Sequence, residues 1–409
     1  MIEEERVHMK KALALMFVVV MALSLFVGCQ PAATSGTTAT ASGDQVVIGV
    51  YEPASGDNGA GGKQETLGIQ YANSVCPTVE VGGKTYNVKL EIVDNESSND
   101  KGPTAAATLV SAGASIVLGS YGSGVSIAAS DVFEKAGIPV IGVTCTNPQV
   151  TEGNTHYFRI CFLDPFQGTV LANFASEQFS AKNAYCLAKL GDDYSVGLCN
   201  YFIEAFEALG GTVQFEQFPE GNSDFTSYLT TAGNNNADVF FAPVSTEAAA
   251  LIIDQANSQG LKAPILAGDT WDSNVILNAV KGKDVQVYVT TFFDEGDTSE
   301  LGSSFVKGFK EWLNANSTML TNNGGDDTVA AVSAMGYDAY FTALEAIKAA
   351  GSTDSKAVNE ALWNVKYTGV SGDIAFDSTN GDAVRDVAFV KASDSATGTW
   401  KFVAIQGVK

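Results

Sequence analysis

The chain has 409 residues, 45% of them hydrophobic, with 46 acidic against 23 basic side chains and a formal net charge of −23. A surface so acidic repels nucleic acid and anionic lipid headgroups, which excludes both as partners. The apolar fraction excludes a disordered chain, and two histidines, His8 and His156, are too few for a histidine zinc site.

Lys10 and Lys11 precede an apolar run of 16 residues, Ala12 to Val27, which Gly28 and Cys29 follow. The run is shorter than the ~20 residues of a membrane-spanning helix, so residues 1–28 read as a cleaved secretory signal, with Met9 as its start. Phe26-Val27-Gly28-Cys29 resembles the bacterial lipobox, with phenylalanine in place of the usual leucine, and makes Cys29 the expected lipidation site. Residues 29–44 hold no aromatic side chain and read as a flexible tether. About 365 residues remain from Gln45 onward, more than a single core organises, so two lobes are expected.

Short apolar runs alternate with amphipathic stretches through this part. The runs are VVIGVY (46–51), VKLEIVDN (88–95), SIVLGS (115–120), IPVIGV (138–143), NAYCLAKL (183–190), VQFEQF (213–218), DVFFAPV (238–244) and PILAGD (264–269). Helix-like segments lie between them, which predicts parallel sheets covered on both faces. The order breaks at YFRICFLDP (157–165), VQVYVTTFFDE (285–295) and YTGVSGDIAFD (367–377), the places for three crossings between lobes. The first lobe is then 45–163 with 293–368, and the second 164–292 with 369–409. DIAFD, VAFVKA (387–392) and WKFVAI (400–405) read as an antiparallel meander.

Cys76, Cys145, Cys161, Cys186 and Cys199 are odd in number and show no CxxC spacing. Inert buried thiols are the favoured reading, with one disulfide as the alternative. GDNGAGGKQ (56–64) fails as a phosphate loop, because Asp57 stands five before Gly62 and Gln64 replaces the required Ser or Thr. The acidic groups at 94–100, 294–297 and 377–382 lack calcium-loop spacing and read as solvated turns. His156 sits alone at a strand edge. No enzyme, metal or cofactor is expected; the strongest catalytic alternative is a hydrolase built on Asp269 and Asp272.

Several segments together resemble the branched-chain amino acid binding proteins of ABC transporters. They are Ser55-Gly56, the Asp94 segment, VLGSYGS (117–123), PVIGVTCTNPQVT (139–151) leading into YFR, GDDYSVG (191–197), DFTSYL (224–229), QGLKAPILAGDTWD (259–272) and GYDAY (336–340). The resemblance spans about Val46 to Val403. It implies an α/β, two-lobed type I periplasmic-binding-protein fold with a ligand between the lobes. It implies that Ser123 and Thr146 hold the ligand's carboxylate, with the Thr144 carbonyl on its ammonium, and a helix N-terminus favours that anion.

From the second lobe the resemblance supplies Tyr194 and Asp269. Gly61 and Ser245 stand where branched-chain members carry tyrosines, which enlarges or polarises the pocket and keeps polar amino acids, short amides and urea-like solutes open. Ser123 and Thr146 could instead cap helices or turns, and Asp269 could cap a helix at Thr270. The implied partners are a small-molecule ligand and an ABC permease, with the chain a monomer anchored by Cys29 on the outer face of the cytoplasmic membrane. A ligand-sensing domain of the same fold is the alternative.

Overall fold

The structure, a computed structural model, describes residues 44–407. The expected signal segment, Cys29 and the tether up to residue 43 lie outside the described residues.

The first lobe begins with β1 (Gln45–Val50), α1 (Gly59–Val75), β2 (Thr78–Val81), β3 (Lys84–Ile92), α2 (Gly102–Ser111), β4 (Ile116–Leu118), α3 (Ser123–Ala136), β5 (Val140–Gly142) and β6 (Tyr157–Arg159). These strands form one sheet in the order β2-β3-β1-β4-β5-β6. β1 pairs in parallel with β3 and β4, and β5 in parallel with β4 and β6. β4, β5 and β6 are buried at every position, as parallel strands covered on both faces must be. The antiparallel hairpin β2–β3 departs from the expected parallel order. Gly82 and Gly83 both adopt positive φ at its turn, the backbone a two-residue hairpin turn requires.

The second lobe follows with α4 (Asp164–Phe179), β7 (Asn183–Lys189), α5 (Asp193–Ala208), β8 (Thr212–Phe218), α6 (Thr226–Asn234), β9 (Val239–Phe241), α7 (Thr246–Gln259), β10 (Ile265–Ala267), α8 (Asn274–Val280) and β11 (Val287–Thr291). Alternation along β7 sends Tyr185 and Leu187 into one core, with Ile252 and Trp271, and Ala184, Cys186 and Ala188 into another, with Phe202 and Phe206. Period-two alternation thus fills both faces of this sheet.

The chain then returns to the first lobe through α9 (Glu300–Asn314), α10 (Ser317–Asn322), α11 (Ala331–Ala350) and α12 (Ser355–Leu362). Met335, Tyr340 and Ile347 of α11 join the core under β1 and β4. α11 and α1 meet backbone to backbone: a Cβ on Gly68 would stand 1.9 Å from the Ser333 carbonyl oxygen, and one on Gly336 2.3 Å from that of Glu65. Only glycine fits such an approach, which sets the depth of α1 in the lobe.

β12 (Lys366–Gly369) and β13 (Gly372–Ala375) form a hairpin of their own, and β14 (Val387–Asp394) and β15 (Thr399–Gly407) extend the second sheet beside β11. The expected three-run meander is therefore corrected: DIAFD pairs backward with β12, because Val370 and Ser371 turn tightly against Asp338. The five cysteines after Cys29 are all buried, and Cys145, Cys161, Cys186 and Cys199 are free thiols.

Asp382 corrects a second expectation. It is buried rather than solvated, and its carboxylate takes the Arg159 Nε at 2.6 Å. The same guanidinium donates to the carbonyls of Cys145 and Asn147 and to the Thr151 hydroxyl. Removing one member of such a pair leaves a bare buried charge. Asp382→Asn is expected to lower unfolding free energy by about 3–5 kcal/mol in urea denaturation. A loss under about 1 kcal/mol, the scale of an exposed pair, would mean that water reaches Arg159.

Candidate functional site

Parallel strands deliver their following loops to one edge of a sheet, and here the two edges face each other. β1 leads to Glu52, β4 to Tyr121 and Ser123, and β5 to Thr144 and Thr146. Across from them, β7 leads to Tyr194, β9 to Ser245 and β10 to Asp269.

In the first lobe the Thr144 hydroxyl donates to Glu65 Oε2 at 2.5 Å. Glu65 comes from the inner face of α1. Glu52 Oε2 accepts the Tyr121 backbone N–H at 2.6 Å, and the Glu52 carboxyl lies against Glu65. The Ser123 hydroxyl accepts the Asn147 N–H at 3.3 Å, at the first turn of α3.

In the second lobe Asp269 Oδ1 accepts from Gln167 Nε2 at 2.9 Å and from the Tyr194 hydroxyl at 3.1 Å. Asp269 opens a single 3-10 turn whose N-cap is Gly268, with no side-chain cap, so the capping alternative does not hold. Asp164, at the start of α4, is fully buried, with the Thr146 hydroxyl as its side-chain hydrogen-bond partner. Asp269 Oδ2 and Gln167 Oε1 are buried without partners, and Glu65 shares a hydrogen bond with the Glu52 carboxyl.

Crowding of acids raises their proton affinity. Burial pushes Asp164 up to about 8, Glu65 up to about 7 and Asp269 up to about 6. Glu52 rises well above the carboxylate range, first through burial and then through the Glu65 charge. Burial pushes the Tyr121 phenol up, and Asp269 from one lobe with Glu65 and Glu52 from the other push it further. Asp272 is separate: it holds Lys391 at 3.0 Å and the Thr291 hydroxyl at 2.5 Å. A neutralised Asp272 cannot serve Asp269 as a paired catalytic acid.

The lobes touch across this space. Gln64 bridges them with both ends of its amide, donating to Asn274 Oδ1 at 3.1 Å and accepting from Ser273 Oγ at 2.9 Å. Lys189 meets Asp57 at 2.7 Å, Asn147 Nδ2 reaches the Asp193 carbonyl at 2.8 Å, and the Tyr121 hydroxyl reaches the Thr270 carbonyl at 3.2 Å. The mouth of the crevice keeps about 560 Å³ of empty space, part of it open solvent, lined among others by Ser123, Tyr194 and Ser245. Thr144, Thr146 and Asp269 are buried and do not line it.

Two expectations change here. A Cβ on Gly61 would fall 2.5 Å from the Tyr121 ring, so Tyr121 occupies the room that glycine was expected to open. Ser245 does line the mouth, but its hydroxyl caps α7 through Ala248 N–H at 3.3 Å. Sequence reasoning missed Glu52, Glu65, Asp164 and Gln167. Glu52 was within reach, as a charged residue two positions after a buried parallel strand. Glu65 and Gln167 look like ordinary polar positions on helices until the opposite lobe is in place.

Residues 45–398 match the family model described as periplasmic binding protein. A Leu/Ile/Val-binding protein homolog 1 from Brucella abortus is 28% identical over 385 residues, 93% of this chain and 99% of its own. The crystal structure of the leucine binding protein LivK from Thermotoga maritima superposes with a TM-score of 0.78 at 32% identity, over 88% of this chain and 99% of that one. LivJ from Streptococcus pneumoniae, bound to isoleucine, shares the fold at 24% identity and a TM-score of 0.77, over 90% and 100%. With opposed strand ends meeting over buried polar groups, and the family model covering nearly all the described residues, the chain belongs to the periplasmic binding protein family, as a two-lobed solute receptor and not an enzyme.

Proposed function

We propose that this receptor binds an amino-acid-like solute between its lobes and hands it to an ABC permease. The carrying observation is Asp269, a buried carboxylate of the second lobe with one oxygen unpartnered, across from the Thr144 hydroxyl and the buried acids Glu52 and Glu65 of the first. Ser123 and Thr146 receive the ligand's carboxylate at the N-terminus of α3, where the helix field favours an anion. Thr144, Tyr194 and Asp269 receive its ammonium, and Ser245 borders the entrance. Residues 45–163 with 293–368 close on 164–292 with 369–409 as the ligand enters. The chain acts as a monomer outside the cytoplasmic membrane, held there by a lipid on Cys29 after removal of residues 1–28. Among the described residues no helix is long and apolar enough to cross a membrane.

Ser123→Ala and Thr146→Ala are each expected to weaken binding by about 1–3 kcal/mol in calorimetry, the loss of a hydrogen bond to a charged group. Unchanged affinity in both would move the carboxylate site elsewhere. Cys29→Ser is expected to release the protein into the medium. Finding that variant still in the membrane fraction would end the lipid-anchor reading.

The buried acids also predict how the ligand-free protein responds to pH. A carboxyl that ionises less readily folded than unfolded costs stability above its folded value, and the cost fades as pH falls toward its unfolded value near ~4. Asp164 (about 8), Glu65 (about 7), Asp269 (about 6) and Asp338 (about 6) act with the same sign. Ligand-free protein should therefore melt higher at about pH 5 than at about pH 8. A melting temperature that rises from about pH 5 to about pH 8 would mean the acids are paired or hydrated in solution.

A further inference from the structure

Four buried acids stand between the lobes, more than one ammonium can pair. Glu52, Glu65, Asp164 and Asp269 are each no more than 1% exposed. None is among the ion pairs of the described residues. The nearby cations are already engaged: Arg159 by Asp382, Lys391 by Asp272, and Lys189 by Asp57 and Glu220. Even if Glu52 and Glu65 share one proton, the pair, Asp164 and Asp269 remain as three acidic centres.

Hydrogen bonding leaves the same remainder. Protein donors reach one oxygen each of Glu52, Glu65 and Asp269, and Asp164 has only the Thr146 hydroxyl. The fully buried Gln167 donates to Asp269 and Thr290, which leaves its own carbonyl oxygen without a donor beside Asp269. Acceptors outnumber donors, and a ligand that completes this site must bring N–H groups and positive charge.

A zwitterion with an apolar side chain brings one positive and one negative charge, so it neutralises nothing in sum. Apart from two tyrosines, the crevice mouth offers such a side chain only Val125 among larger apolar groups. Tyr121 and Tyr194 present faces that favour cations. We infer that the natural ligand carries at least two cationic nitrogens, ammonium or guanidinium, as a basic amino acid or an aliphatic polyamine does. This rests on the receptor reading and narrows it.

The test uses the mature protein, unfolded and refolded to strip bound solute, then titrated calorimetrically with lysine, arginine, ornithine, putrescine, spermidine, leucine, isoleucine and valine. At least one dicationic ligand is expected to bind about 100-fold more tightly than leucine. Preference for lysine, arginine or ornithine over the diamines identifies an amino acid, and the reverse a polyamine. Leucine, isoleucine or valine binding as tightly as every dication overturns the inference and leaves the receptor reading intact. No binding by any of the eight overturns both.

Asp164→Asn supplies a second arm, since asparagine keeps an oxygen for the Thr146 hydroxyl and removes only the charge. The variant is expected to bind the preferred dication about tenfold more weakly with leucine affinity unchanged or improved. Equal weakening of both ligands, or of neither, would remove Asp164 from charge selection and overturn the assignment. If that variant fails to fold, Glu52→Gln, which keeps an oxygen for the Tyr121 N–H, is read by the same ratio.

Discussion

Arg159 organises the first-lobe side of this crevice. A guanidinium with no exposed surface must have every donor met, and the groups that meet it are the 145–151 loop and Asp382. That loop carries Thr146, and its Asn147 gives an N–H to Ser123 and a side-chain N–H to the Asp193 carbonyl of the opposite lobe. A single buried cation therefore fixes the loop that carries the hydroxyls proposed for the ligand's carboxylate, and one contact between the lobes. Asp382 arrives from the returning chain near the crossing, so the hinge and the loop are held by the same charge. Nearby, Arg385 donates to the Ile160 carbonyl and to Ser371, and Ser371 is bound in turn to Asp338. The crossing segment is pinned on both sides.

Closure itself runs on small terms. The Gln64, Asn147 and Tyr121 bonds across the crevice contribute about 0.5–1.5 kcal/mol each, and the partly exposed Lys189–Asp57 pair less. Bringing four carboxyls into one dry space acts against them. The balance lets the lobes stay apart without solute and close with it, because a ligand that adds positive charge changes the sign of the electrostatic term. Binding and closure are then one equilibrium, as expected of a hinge receptor.

Similarity and specificity separate here. Solute binding proteins of the same fold from Rhodopseudomonas palustris hold benzoate and 4-hydroxybenzoate at 18% identity. One scaffold accepts different ligands because the strand-end loops vary while the sheets do not. In this chain Glu52 stands two residues after β1, and Tyr121 fills the space above Gly61.

The lobes, the parallel sheets and the strand-end positions of Thr144, Thr146, Tyr194 and Asp269 were legible in the sequence. Buried parallel strands must be continuous apolar runs, and their following residues must lie at the carboxyl edge, so local pattern carries that information. Only the tertiary structure decided that DIAFD turns back on β12, that Asp382 is buried on Arg159, and that Glu65 and Gln167 face the crevice. The DIAFD turn depends on Asp338, 32 positions before Val370, and the others on partners still farther off: 79 positions for Glu65 and Thr144, 102 for Gln167 and Asp269, and 223 for Arg159 and Asp382. A carboxylate on a helix reads the same whether it meets water or another lobe, and its charge becomes a statement about a ligand only when the second wall is in place.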